Sequence, residues 1–275
     1  PNVTMVKPDD HVVLHWRPGK GIESIPPKYK WNGKILNGGY VTTFNEYAIV
    51  SENRLTSIPN DYPLEIAPLY GCAVTTGFGV IENNAKLKMS ESIVVVGAGG
   101  VGLNIIQGAK LYNADPIIAV DRFQNRLELA KKLGATHIIN NSNEVDWKSK
   151  ILKIVDSEGA DVVIDNTGNV EVISDCYKLT KPNGRTILVG VPKKGDNVSL
   201  YTLPLHFGKI LTGTHGGDGN PTLDINRYIK AESTSDIHLS SILSNKKYSL
   251  HEINFAIDSL KKGEEIGRII IDVKG

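Results

Sequence analysis

The chain has 275 residues, 40% of them hydrophobic and 22% charged, and a formal net charge of +1. This is the balance of a folded globular protein of one large or two ordinary domains, and it gives no electrostatic reason to expect nucleic acid or a membrane as partner. No run reaches the roughly 20 apolar residues of a membrane span, and the two cysteines, Cys72 and Cys176, cannot build a disulfide framework, so a cytoplasmic location is expected.

Residues 5–60 read as short strands and turns. A β-type run at 9–14 follows a Lys-Pro-Asp-Asp turn signal, and 40–50 (YVTTFNEYAIV) is a second strand. Between them, 17–39 is rich in Gly, Pro and Lys and reads as an irregular excursion. Small and apolar residues at helical spacing predict a helix over 63–80. From residue 93 the pattern alternates. Strands are predicted at 93–96, 117–120, 134–139, 160–164, 184–190 and 210–214. Helices fall between them at 102–112, 126–133, 148–156 and 170–179. Such alternation predicts an α/β fold with a parallel sheet covered on both faces. The tail adds helices at 225–231 and 249–262 and a strand at 267–273.

The run VVVGAGGVG at 94–102 carries the most chemistry. A strand ends in Gly97-x-Gly99-x-x-Gly102 and a helix follows, the context that a dinucleotide fingerprint requires. Gly97 permits the tight turn, Gly99 lets backbone approach a pyrophosphate, and Gly102 lets the helix pack closely on the strand. The free N–H groups of the helix start face the phosphate charge. Asp121 stands at the end of the next strand, 19 residues after Gly102, where an acid accepts hydrogen bonds from ribose hydroxyls and repels a 2′-phosphate. NAD is therefore favoured over NADP, although Arg122 follows directly. The alternatives are an ordinary βαβ turn with a surface Asp, and an S-adenosylmethionine site, which also uses a glycine-rich first turn.

Several ordered stretches resemble the medium-chain dehydrogenase/reductase family, especially its zinc-type alcohol dehydrogenases. They are 7–13 (KPDDHVV), 42–47 (TTFNEY), 71–77 (GCAVTTG), the glycine turn, Asp121, 133–135 (LGA), 165–168 (DNTG), 189–191 (VGV) and Gly267-Arg268. The resemblance implies a Rossmann doubly wound sheet at 71–212, flanked by an incomplete GroES-like β-barrel catalytic domain formed by 1–70 and 213–275. The family pattern begins about 80–90 residues before Pro1. That earlier part carries a cysteine and a histidine ligand of the catalytic metal, together with the proton-relay residues.

Residue by residue, the resemblance gives Cys72 the position of one catalytic zinc ligand; a small buried cysteine on an apolar helix is the plain alternative. The lobe at 16–31 has no cysteine, so no structural zinc is expected. Thr76 matches the threonine near the nicotinamide, Val101 the residue packing behind it, and Val191 the backbone that bonds the carboxamide. Arg126 matches a basic position near the adenosine ribose, and Arg268 an arginine that pairs with pyrophosphate. Trp16 and Phe44 fall where relatives place walls of the substrate pocket, and aromatic core packing would account for both equally well. His15, His206 and His215 are isolated, and 212–217 (TGTHGG) reads as a turn beside the cofactor.

The implied function is NAD-dependent hydride transfer between an alcohol or polyol, or the matching carbonyl, and nicotinamide, assisted by zinc in the intact protein. The alternatives are a zinc-independent enone or quinone reductase of the same superfamily, and a nucleotide-binding module without catalysis. A homo-oligomer, dimer or tetramer, is expected from the relatives.

Overall fold

A computed structural model describes residues 2–143 and 146–273. The chain forms two compact units, Pro1–Thr75 with Gly219–Gly275, and Thr76–Asp218. In chain order the first unit begins with β1 (Val12–Leu14), β2 (Lys28–Trp31), β3 (Lys34–Asn37) and β4 (Leu55–Ser57). β1 pairs antiparallel with β4, and β2 with β3. A 3-10 turn at Ala67–Gly71 leads to helix α1 (Ala73–Gly79), which runs on as a π-helical turn over Val80–Ala85.

The second unit is built on β5 (Ile93–Val96), α2 (Gly100–Leu111), β6 (Ile117–Asp121), α3 (Gln124–Lys132) and β7 (His137–Asn140). It continues through α4 (Trp147–Val155), β8 (Ala160–Asp165), α5 (Val170–Leu179), β9 (Thr180–Leu188) and β10 (Ile210–Gly213). The six strands form one parallel sheet in the order β10-β9-β8-β5-β6-β7. This is the doubly wound order, with the chain reversing direction across the sheet between β5 and β8. Every residue of β5 and β6 is buried, which is why both strands read as unbroken apolar runs. Side chains from the strands meet α4 and α5 in a core that includes Val94, Ile118, Val163, Trp147, Ile151 and Cys176. Asn169 fixes the start of α5, its side chain accepting from the N–H groups of Glu171 and Val172.

The rest of the first unit comprises α6 (Pro221–Thr234), β11 (Leu243–Ser249), α7 (Ile253–Lys262) and β12 (Arg268–Asp272), with β11 and β12 paired in parallel.

Three expectations are corrected. Residues 40–50 form no strand: Tyr47 is 87% exposed, Asn45 Nδ2 donates to the Tyr47 carbonyl, and Ile49 N donates to the Tyr29 hydroxyl. Alternating apolar residues make a strand only where a second strand takes up their backbone groups, and among the described residues none pairs here. The segment 17–39 is not wholly irregular, because β2 and β3 form a hairpin through Asn32 (φ 48°) and Gly33 (φ 74°). Positive φ at both turn positions is the geometry for which Asn-Gly is the strongest sequence signal. The helix expected over 63–80 is interrupted at Cys72 (φ −153°, ψ −64°) and continues past Val80 to Ala85. β11 has little signal in the sequence, since LSNKKYS carries little apolar alternation.

Ile164 is fully buried in β8, between β5 and β9. Ile164→Ala is expected to lower unfolding stability by about 2–5 kcal/mol, seen as a lower urea midpoint at unchanged slope.

Candidate functional site

Three loops meet at the carboxyl edge of the sheet in the second unit. The first leaves β5. Gly97 adopts φ 100° and donates its N–H to the Val120 carbonyl at 2.7 Å. A Cβ on Gly102 would lie 2.0 Å from the Gly97 carbonyl oxygen, so only glycine lets α2 start this close to its strand. A Cβ on Gly99 would meet nothing within 4 Å, which leaves open space over the backbone before α2. The first amides of α2 lack intrahelical acceptors, as at any helix start. These features fit a dinucleotide pyrophosphate: a tight turn, an uncovered backbone and unpaired donors.

The second loop leaves β8. Asp165 is completely buried and accepts from Thr167 N (3.0 Å), Thr167 Oγ1 (2.6 Å) and Gly168 N (3.0 Å). Burial pushes its carboxyl up from the usual range, against those three donors. Asn166 packs under the first loop, its Cβ 3.1 Å from where Gly97 would carry one. Both polar atoms of its amide are buried without a hydrogen-bond partner. The third loop leaves β9. Gly168 (φ 66°) lies against Val191, whose carbonyl oxygen would be 2.5 Å from a Cβ there, and Val191 itself is 87% exposed. The Val191 backbone is thus held next to the β8 loop while its side chain is free of packing.

Asp121 closes the edge from β6. Its Oδ2 accepts from Ala98 N at 2.7 Å and its Oδ1 from Phe123 N at 3.0 Å, which ties the end of β6 to the glycine turn. Arg126 Nη1 stands 4.0 Å from Oδ2. The guanidinium groups of Arg122 and Arg126 both stack on Phe123, at 4.7 and 4.6 Å from the ring centroid. Thr76 is buried in α1 and Val101 is half-buried in the first turn of α2. Gly97, Gly99, Gly102, Val101, Asp121, Arg126, Thr76 and Val191 therefore all belong to the second unit. Sequence reasoning passed over Phe123 and Asn166 as individual residues. Phe123 had no signal beyond lying between Asp121 and Arg126, and Asn166 none beyond its place in DNTG.

The other expected residues lie in the first unit. Cys72 is exposed, not buried on an apolar helix face, because it occupies the break before α1. Among the described residues, no three His, Cys, Asp or Glu side chains gather as a metal-ligand set. The residues present do not by themselves fit a catalytic zinc. Trp16 and Phe44 are exposed, so neither packs in a core. Arg268 is half-buried at the start of β12, with its Nε unbonded. His15 is buried, with Nδ1 2.7 Å from the Arg17 carbonyl and Nε2 3.0 Å from Thr56 Oγ1. Burial lowers its pKa.

Residues 100–231 match the family described as zinc-binding dehydrogenase. An NDMA-dependent alcohol dehydrogenase from Amycolatopsis methanolica is 30% identical over 98% of this chain and 80% of its own length. An S-(hydroxymethyl)glutathione dehydrogenase from Paracoccus denitrificans is 29% identical over the same shares. The crystal structure of benzyl alcohol dehydrogenase from Acinetobacter calcoaceticus superposes with a TM-score of 0.84 at 28% identity, covering 99% of this chain and 80% of that one. An alcohol dehydrogenase zinc-binding domain protein from Burkholderia ambifaria superposes at 0.75 with 31% identity, and the match covers 82% of this chain and 60% of that one.

Two outcomes follow from this geometry. Gly102→Val is expected to weaken NADH binding about tenfold or more, followed by fluorescence titration, because α2 must move off β5. A thiol reagent added to the native protein is expected to modify Cys72 alone. Cys176 is buried, burial raises its pKa, and it should react only after unfolding.

Proposed function

The chain belongs to the zinc-type alcohol dehydrogenase family, and from that membership we propose that it binds NAD on the second unit and transfers hydride between an alcohol or polyol, or the matching carbonyl, and the nicotinamide. The observation that carries the NAD reading is the glycine turn between β5 and α2, with Asp121 hydrogen-bonded into it from the end of β6. Nicotinamide, when bound, supplies the hydride acceptor or donor at its C4. The protein binds and orients. The α2 amides and the open backbone at Gly99 hold the pyrophosphate, and Asp121 accepts from a ribose hydroxyl through its remaining lone pairs. Arg126 lies beside that ribose. Thr76 lies near the nicotinamide ring, Val101 packs behind it, and the Val191 backbone bonds the carboxamide. Arg268 keeps a proposed phosphate-pairing role on the chemistry of its guanidinium, and Trp16 and Phe44 a proposed role as substrate walls.

The zinc reading extends to Cys72 as one proposed ligand and no further. We also propose a homo-oligomer joined through the second unit. β10 is the edge strand of the sheet and carries exposed Ile210, with Phe207 70% exposed just before it. An apolar open edge of this kind favours pairing with a second copy. Among the described residues no helix is long and apolar enough to cross a membrane. We place the protein in the cytoplasm on its two free thiols.

The test is NADH binding together with NAD reduction across primary alcohols and polyols. Asp121→Ala is expected to weaken NADH affinity by about tenfold to a hundredfold, and to shrink the preference for NADH over NADPH. Equal affinity for both cofactors in the unaltered protein would overturn the role given to Asp121.

A further inference from the structure

In the first unit, the carboxylate of Glu232 on α6 is held by two tyrosines. Its Oε2 accepts from the hydroxyls of Tyr62 (2.5 Å) and Tyr70 (2.7 Å), whose rings stack edge-to-face at 5.9 Å. Tyr70 is fully buried. Burial, together with the neighbouring carboxylate, raises both phenol pKa values, so the two hydroxyls remain protonated donors. Two neutral donors on one oxygen bring no positive charge to it. Among the described residues Glu232 forms no ion pair, and Oε1 receives no hydrogen bond.

Glu232 and Tyr62 line a cavity of about 480 Å³. Pro59, Pro63, Ile66 and Ile229 supply its aliphatic lining. Asp61 adds a second carboxylate with no ion pair among the described residues, and Lys230 is the one lysine or arginine of the lining. Lys230 and Glu232 are two apart on a helix, a spacing that does not bring side chains together. This open depression therefore offers the carboxylates of Glu232 and the exposed Asp61, one lysine, a tyrosine ring and aliphatic side chains.

We propose that this cavity binds a small organic ammonium ion. The ammonium donates to Glu232 Oε1, the Tyr62 ring and Asp61 add electrostatic attraction, and a short carbon chain packs on Ile66 and Ile229. An ammonium ligand supplies a cation, with which neither carboxylate is paired among the described residues. A carboxylate ligand would meet two like charges. This site is independent of the dinucleotide reading, and neither proposal stands or falls with the other.

The probe is n-butylammonium, titrated calorimetrically into the whole protein alongside butyrate and the uncharged isostere methyl propyl ether. Saturable binding of the amine alone is expected. Glu232→Gln, which keeps an acceptor for the phenols, should weaken it at least about tenfold. Ile229→Trp should abolish it by filling the cavity while leaving the carboxylate intact, so the proposal remains testable if the first variant does not fold. Absence of amine binding, equal binding of the ether or butyrate, or amine binding unchanged in a folded Ile229→Trp protein would each overturn it.

Discussion

The approach of α2 to β5 is the constraint on which the second unit depends. With the Gly97 carbonyl 2.0 Å from where Gly102 would place a Cβ, no other residue fits without moving the helix. That contact sets the direction of α2, and hence where its first-turn amides lie relative to the strand end. β6 is then drawn to the same turn twice, by Gly97 N on the Val120 carbonyl and by Ala98 N on Asp121. β8 is joined through Asn166 N on the Val96 carbonyl. Three adjacent strands thus end at one set of backbone contacts, and the loops beyond them have little choice of position.

The same edge shows how a buried acid can be structural. Asp165 and Asp121 sit at equivalent strand ends, and each accepts backbone N–H groups from the residues that follow it. Asp165 is sealed in, and all of its donors come from the loop that it shapes. Asp121 bonds across to another strand's loop and has Arg126 at 4.0 Å. The surroundings of the two carboxylates separate one that shapes only its own loop from one that ties two strand ends together.

Legibility followed the physics of each element. β5 and α5 have the boundaries expected of them, because one is a fully buried apolar run and the other is capped by Asn169. The sheet order follows from strand–helix alternation together with the glycine turn. Residues 40–50 misled because strand propensity describes a half-buried surface, and Tyr47 and Ile49 have none to cover. β11 was silent for the opposite reason: its partner β12 supplies the apolar residues, and a polar strand can complete a ladder through backbone alone. The glycine turn and Asp121 were readable as motif residues. The Phe123 stack was not, since it depends on two arginine side chains folding back over one ring.

In the first unit, polar side chains hold a lobe that a reading of hydrophobicity would leave loose. Glu52 accepts from the backbone N–H groups of Thr4 (2.6 Å), Met5 (2.7 Å) and Ile22 (2.8 Å), which hold its carboxyl below the usual range. Arg54, buried two residues on, donates to the Trp16 carbonyl and to Glu23, and its guanidinium lies 4.4 Å from the Tyr40 ring centroid. Gly21 (φ 110°) lets the chain pass within contact of Glu52. One short stretch, 52–54, therefore anchors segments near residues 4, 16, 22 and 40. Residues 16–31 contain no cysteine with which a metal could crosslink them, and these hydrogen bonds supply a fixed geometry in its place. Their strength rests on an ionised carboxylate and a guanidinium, both of which bind neutral backbone groups more tightly than uncharged side chains would.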